Sequence, residues 1–120
     1  MKEYILVVDD EKSLRRFLEI FLEKEGYEVD TAASLEEAEK AIGQNVYDLV
    51  LTDLRMAGED DGLKVLRSAI HKNPSTEVVV MTAFAEHKTA VEAMKLGAFD
   101  FVQKPFELEE LEARVAKACS

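Results

Sequence analysis

Five short apolar runs alternate with stretches of helical periodicity along this 120-residue chain. Four of the runs are apolar on nearly consecutive positions and the second is weaker; they occupy residues 4–8, 27–32, 47–51, 77–81 and 99–102. Continuous apolar runs are typical of strands that are covered on both faces. Because strand and helix alternate, the sequence predicts an α/β fold in which a parallel sheet carries helices on both faces.

The stretches between the runs have apolar residues at the spacing of amphipathic helices. In the first stretch the stripe consists of Leu14, Phe17, Leu18, Phe21 and Leu22, and Gly26 can end that helix. Ser34 and Glu37 form a capping-box pattern at the start of the second. The later stripes contain Leu63, Leu66 and Ile70, then Ala90, Val91, Met94 and Gly97, then Leu108, Leu111, Val115 and Ala118.

The size and charge of the chain narrow its class. A chain of 120 residues closes one hydrophobic core, so we expect one domain over residues 1–120. Its formal net charge of −10 is a poor match for a nucleic-acid backbone or an anionic membrane.

The cellular compartment is indicated by the cysteine content and by the apolar runs. The single cysteine, Cys119, has no internal disulfide partner, which is typical of a reducing compartment. We found no membrane-length apolar run and no secretory leader, and we expect a cytoplasmic protein.

Polar residues follow the predicted strands at the edge where ligands gather in doubly wound sheets. Asp9 and Asp10 follow the first strand, Asp53 the third, Thr82 the fourth and Lys104 the fifth. Clustered carboxylates repel one another unless they hold a proton or a cation. Mg²⁺ is typically held by one or two carboxylates together with phosphate oxygens. With a lysine and a hydroxyl beside them, these acids predict a phosphoryl site in which Asp53 could be the nucleophile.

Each of these residues also has a simpler interpretation. Acids after strands are often solvated turns or helix caps, and Lys104 could be a surface lysine beside Pro105. Thr82 could cap a helix that begins near Ala85. The functional interpretation is favoured because all of these residues are expected at one end of the same sheet.

Three segments together resemble the receiver domain of two-component response regulators. They read LVVDDEKSLR, DLVLTDLRM and VVVMTAFAEHKTAVEAMKLGAFDFVQKPF, and the resemblance covers essentially the whole chain. The third segment is most similar to receivers that precede the ATPase of sigma-54-dependent (NtrC-type) transcription activators. The resemblance implies a flavodoxin-like (βα)5 fold with strand order 2-1-3-4-5.

The resemblance also implies how the acids are used. Asp53 would accept a phosphoryl group from the phosphohistidine of a sensor histidine kinase. Asp10, Asp53 and the backbone carbonyl of Arg55 would coordinate Mg²⁺, and Asp9 would support the metal site.

Three further positions match the family's signalling residues. Lys104 would pair with the phosphoryl oxygens and Thr82 would donate a hydrogen bond to one of them. Movement of Thr82 would make room for Phe101 at the switch position, where the more common tyrosine hydroxyl is missing. The Lys104–Pro105 bond is usually cis in this family.

The loop after the third strand departs from the family pattern. It reads DLRMAGEDDGL, with Ala57 in place of the usual proline and Gly62 one position late. The loop is therefore one residue longer, which leaves its conformation and the start of the third helix open. Asp53 itself precedes the change and is not displaced by it.

We expect a signalling domain rather than an enzyme, catalysing only its own phosphotransfer and a slow self-dephosphorylation. Its expected partners are the kinase, a second copy on phosphorylation, and an effector domain in a longer chain. The alternative is a receiver-like interaction module that works without phosphorylation. A metal-dependent phosphohydrolase would have an acid where this chain has Arg55, and a nucleotide or flavin module would have a phosphate loop in place of DDEKS.

Overall fold

The computed structural model describes residues 2–83 and 87–120 and contains five strands and five helices within them. The strands are β1 (Tyr4–Val8), β2 (Glu28–Ala32), β3 (Leu49–Asp53), β4 (Glu77–Thr82) and β5 (Asp100–Gln103). The helices are α1 (Lys12–Lys24), α2 (Leu35–Gln44), α3 (Asp61–Lys72), α4 (His87–Lys95) and α5 (Leu108–Cys119). The helix start predicted near Ala85 lies outside the described residues.

All four strand pairs are parallel, and the order across the sheet is β2-β1-β3-β4-β5. The predicted α/β fold and strand order are therefore confirmed. The carboxyl ends of the strands lie along one edge of the sheet, where the chain order reverses between β1 and β3.

Alternating side chains of the central strands enter two separate core layers. On one face Ile5 and Val7 of β1 pack with residues of α1 and α5, including Leu18 and Leu111. On the other face Leu6 and Val8 pack with residues of α2, α3 and α4. Burial on both faces explains why the strands read as continuous apolar runs.

The predicted signals at the helix ends are present. The Ser34 hydroxyl accepts a hydrogen bond from the Glu37 amide over 3.1 Å, and the Glu37 carboxylate accepts one from the Ala33 amide over 2.8 Å. Gly26, two residues after α1, has φ = 98°, which glycine adopts without the steric cost of a Cβ atom. Local sequence therefore sets the limits of both helices.

The third strand begins later than predicted. The apolar run starts at Tyr47, but β3 starts at Leu49 and ends at Asp53. Tyr47 is buried because its ring packs on Tyr4 and its hydroxyl donates to Asp30, which does not require a strand. The strand also extends two residues beyond the predicted end at residue 51, so Asp53, which was predicted to follow the strand, is its last residue.

Several residues of the predicted helical stripes lie at the surface. Phe17, Val91, Met94 and Leu108 keep 46%, 41%, 38% and 40% of their area exposed, because each stripe is wider than the face that its helix buries. Across the described part of the chain, no helix has both the length and the apolar character needed to cross a bilayer.

Candidate functional site

Residues from four strands meet at the carboxyl edge of the sheet. Asp9 directly follows β1, Asp53 ends β3, Thr82 ends β4 and Lys104 directly follows β5. The pairing register of β1, β3, β4 and β5 places all of these residues at the carboxyl ends of neighbouring parallel strands. The structure therefore brings the predicted site residues to one edge.

Three carboxylates form a cluster at this edge. One oxygen from each of Asp9, Asp10 and Asp53 lies within 4.8 Å of the other two. Asp9 is fully buried, Asp53 is 8% exposed and Asp10 is exposed. The cluster is thus open to solvent on the side of Asp10.

Lys104 bridges two of the three acids. Its Nζ lies 2.8 Å from Asp9 Oδ2 and 3.3 Å from Asp53 Oδ2. Burial opposes the charge of the ammonium, but the hydrogen bond to Asp9 and the charge of Asp53 outweigh it, so that the pKa of Lys104 is raised. Lys104 therefore stays protonated between the two carboxylates.

Asp9 is held by bonds to both of its carboxylate oxygens. Oδ1 accepts a hydrogen bond from the Glu11 amide over 2.8 Å, and Oδ2 accepts one from Lys104. Its backbone carbonyl accepts a third, from Arg15 Nη1, over 2.8 Å. Arg15 is the last residue of the segment LVVDDEKSLR, but nothing in its spacing predicted this contact with the Asp9 carbonyl.

Asp53 has an unusually high affinity for a proton. Burial raises the pKa of its carboxyl group to about 6, assisted by the charges of Asp9 and Asp10 and opposed by Lys104. A single lysine therefore does not fully compensate three neighbouring acids. A further cation at the open side would balance the remaining negative charge. Carboxylate oxygens are the donors that hard divalent cations prefer.

Thr82 and Phe101 both line one surface groove. The groove has a volume of about 280 Å³ and is lined by Thr82, Ala83, His87, Ala90, Phe101 and Gln103. Thr82 is 3% exposed, whereas the Phe101 side chain on the edge strand β5 is 37% exposed. The aromatic ring therefore faces outward and has free space beside it.

Comparison with known families identifies the chain. The model of the response regulator receiver domain matches residues 5–116. The chain belongs to the response regulator receiver family. This confirms the resemblance found in its sequence motifs.

Curated relatives of this receiver are transcription regulators. It is 43% identical over 114 residues to the transcriptional regulatory protein ZraR of Escherichia coli, covering 95% of this chain and 26% of ZraR. It is also 43% identical over 113 residues to the alginate biosynthesis transcriptional regulatory protein AlgB of Pseudomonas aeruginosa, covering 94% of this chain and 25% of AlgB. The receiver thus spans about a quarter of the length of these relatives.

Solved receiver structures share its fold over nearly the whole chain. The receiver domain of NtrX from Brucella abortus superposes with a TM-score of 0.88 at 34% identity, covering 96% of this chain and 97% of that one. A response regulator receiver domain from Clostridium thermocellum gives a TM-score of 0.91 at 32% identity, covering 98% and 94%.

The lengthened loop of this receiver is held by Asp61, the first residue of α3. Asp61 is buried and its Oδ2 accepts a hydrogen bond from the Gly58 amide over 2.9 Å, while Asp60 is exposed. The Gly62 amide donates to Leu54 O over 2.9 Å, which ties the start of α3 to the end of β3. The extra residue is therefore accommodated before Asp61, and the tie to β3 is kept.

Two other positions of the sequence motifs are the Lys104–Pro105 bond and Arg55. The Lys104–Pro105 peptide bond is cis, as the resemblance implied. The Arg55 side chain, two residues after Asp53, is exposed and pairs with Glu59 over 3.3 Å. Its guanidinium thus contacts the loop rather than an acid of the cluster.

Proposed function

We propose that residues 1–120 form a phosphoacceptor receiver domain that takes a phosphoryl group from a sensor histidine kinase onto Asp53. The observation that carries this proposal is the position of Asp53 at the end of the central strand: one of its oxygens lies within 4.8 Å of oxygens of two further carboxylates, and its Oδ2 lies 3.3 Å from Lys104 Nζ. No other described residues of the chain bring three potential metal-ligating side chains together in this way.

The donor set fits a divalent cation of the size and hardness of Mg²⁺. Asp10 and Asp53 would hold it together with the backbone carbonyl of Arg55, while Asp9, whose two oxygens are already bonded, would support the site from behind. When bound, Mg²⁺ would neutralise charge on the phosphoryl oxygens. Bulk water cannot reach the acidic cluster from the side of Asp9, which is fully buried.

The protein residues have separate roles in the transfer. An oxygen of Asp53 attacks phosphorus; the new P–O bond forms as the P–N bond to the donor histidine breaks, and the histidine nitrogen keeps the electron pair. Lys104 lies close enough to neutralise the oxygens of the transferred group. Thr82, at the end of the neighbouring strand, donates a hydrogen bond to one of these oxygens after the transfer.

The acyl phosphate then changes the surface of the domain. Movement of Thr82 toward the phosphoryl group vacates space beside the groove, and the exposed ring of Phe101 turns inward to fill it. The two states differ in the contacts that Thr82 and Lys104 make, which is the differential interaction that a switch requires. The surface of α4, β5 and α5 would then bind a partner or a second copy of the chain.

We infer that the domain controls a transcription-activating effector in a longer, cytoplasmic protein, of the sigma-54-dependent type. The support is that the curated relatives are transcription regulators of which this chain spans about a quarter. With a net charge of −10, the receiver itself would contact neither nucleic acid nor membrane. Fast turnover is not expected, because the residue two places after Asp53 is Arg55 and not an acid.

The test is the intact mass of the protein after incubation with acetyl phosphate, with and without Mg²⁺. We expect a Mg²⁺-dependent gain of one phosphoryl group in the wild type and none in Asp53→Asn. Asp48→Asn is the matched control, because it makes the same change at the other end of β3, where Asp48 accepts a hydrogen bond from the Tyr4 amide. A wild type that gains no mass would favour the phosphorylation-independent interaction module.

A further inference from the structure

Arg15 connects helix α1 to the peptide that joins Asp9 and Asp10. Its Nη1 donates to the Asp9 carbonyl over 2.8 Å in a partly buried contact. Its own amide donates to Glu11 O over 3.0 Å, which anchors it in the helix. A guanidinium stays charged at any physiological pH, and hydrogen bonds from charged donors are stronger than neutral ones.

The orientation of this peptide determines where Asp10 lies. The Asp9 amide is fixed by a bond to Ala32 O over 3.1 Å, and the Asp9 side chain is fixed at both oxygens. These bonds hold the amide and the side chain of Asp9. The bond from Arg15 holds the Asp9 carbonyl, which belongs to the peptide that leads to Asp10. Within residues 2–83 and 87–120 the Asp10 carboxylate accepts no hydrogen bond, so its place in the cluster depends on the backbone.

We propose that Arg15 is a positioning residue for the divalent cation, because it fixes the Asp9–Asp10 peptide so that the Asp10 carboxylate faces Asp53. This inference rests on the proposed function, since it assumes that Asp10 and Asp53 hold the cation. In this role Arg15 would act through the Asp9 carbonyl, to which it donates a hydrogen bond, and would not itself be a ligand of the cation.

Because Arg15 is positively charged, an electrostatic role and a positioning role predict opposite changes in Mg²⁺ affinity when it is replaced. A positive charge near the cluster repels a cation, so a purely electrostatic role predicts that removing it strengthens Mg²⁺ binding. The positioning role predicts the opposite sign. Arg16 is the matched control, because it carries the same charge one residue further on but is 66% exposed and pairs with Glu19 over 2.8 Å.

The experiment measures the Mg²⁺ dissociation constant by calorimetric titration of the unphosphorylated protein. We expect Arg15→Met to weaken binding by about 10-fold, the lower end of the effect of removing a group that orients a metal ligand. Arg15→Lys should be affected less, because an ammonium can still donate one hydrogen bond. Arg16→Met should bind as the wild type does, or slightly more tightly. An Arg15→Met variant that binds Mg²⁺ as tightly as the wild type, or more tightly, overturns the proposal.

Urea unfolding without Mg²⁺ separates positioning from a purely structural role. A structural role lowers the free energy of unfolding and leaves the Mg²⁺ affinity of the folded protein unchanged, and that result also overturns the proposal. If Arg15→Met does not fold, the comparison of Arg15→Lys and Arg15→Gln decides, with weaker binding expected in both. Failure of the wild type to bind Mg²⁺ would overturn the proposed function as well, whereas normal wild-type binding with an unaffected Arg15 variant overturns this inference alone.

Discussion

Gly62 lies against the backbone of Asp53 so closely that a Cβ atom at position 62 would stand 2.3 Å from the Asp53 carbonyl oxygen. It would also stand 2.4 Å from the Leu54 Cα atom. Both contacts are with backbone, which cannot rotate away as a flexible side chain can. The start of α3 is therefore packed directly on the end of β3, where Asp53 lies.

Replacement of Gly62 by alanine should destabilise the fold and displace Asp53. We expect Gly62→Ala to lower the free energy of unfolding by about 2–3 kcal/mol, in the upper range for an overpacked site. Gly43→Ala is the control: Gly43 is exposed in α2, a Cβ atom there would meet nothing within 4 Å, and alanine should stabilise by about 0.5–1 kcal/mol. Urea unfolding measures both, and equal stabilities for the two variants would contradict the close packing at Gly62.

Removal of the Asp53 charge should stabilise the metal-free protein. In the folded state, burial raises the pKa of the Asp53 carboxyl group from the ordinary value of 3.8 to about 6. Wild-type stability therefore falls, relative to Asp53→Asn, as the pH rises from about 4 to 6. Above pH 7 we expect Asp53→Asn to be more stable by about 1–2 kcal/mol, after allowance for solvent screening of the carboxylate.

The measurement is urea unfolding of both proteins in EDTA from pH 4 to pH 8. Their stabilities should be nearly equal at pH 4 and should diverge up to pH 6. A difference that is constant across this range would mean that folding does not raise the pKa of Asp53. A variant less stable than the wild type at pH 8 would show that the ion pair with Lys104 outweighs burial and the neighbouring acids.

Asp60, the last residue of the long loop, and Asp61, the first residue of α3, should differ in their effect on stability. Asp61→Ala removes the acceptor of the Gly58 amide from a buried position, and we expect a loss of about 1–2 kcal/mol in the free energy of unfolding. Asp60→Ala should stay within about 0.5 kcal/mol of the wild type, as is usual for an exposed position. Thermal or urea unfolding compares the pair. A larger loss for Asp60→Ala would mean that Asp60, and not the buried Asp61, holds the loop.

Sequence patterns predicted the sheet and most of the site because both depend on periodicity and strand order. A residue next to the carboxyl end of a parallel strand must lie at the carboxyl edge of the sheet, so the sequence alone placed Asp9, Asp53, Thr82 and Lys104 there. Long-range contacts made by single side chains have no such signature. The bond from Arg15 to the Asp9 carbonyl, and the choice of Asp61 over Asp60, depend on atomic geometry that no spacing rule describes.

The cluster of Asp30 with two tyrosines is another contact of this kind, and it accounts for the burial of Tyr47 outside β3. Tyr4 and Tyr47 both donate their hydroxyl groups to Asp30 Oδ2, the second over 2.7 Å, and their ring centroids lie 4.6 Å apart. Burial, followed by the hydrogen bond to Asp30, raises the pKa of Tyr47. The Tyr47 hydroxyl thus stays protonated and donates to the carboxylate.

Asp30→Ala should therefore lower the free energy of unfolding by about 2 kcal/mol, because it leaves two hydroxyl donors without their shared charged acceptor. Asp30→Asn keeps an acceptor oxygen and should cost less. In a double-mutant cycle, replacing both tyrosines by phenylalanine should cost less in the Asp30→Ala background than in the wild type, since the bonds are already lost there. Equal costs in the two backgrounds would mean that the hydroxyl groups stabilise the fold independently of Asp30. Phosphorylation of the folded variants should be unchanged, because none of the three groups contacts the acids at the carboxyl edge.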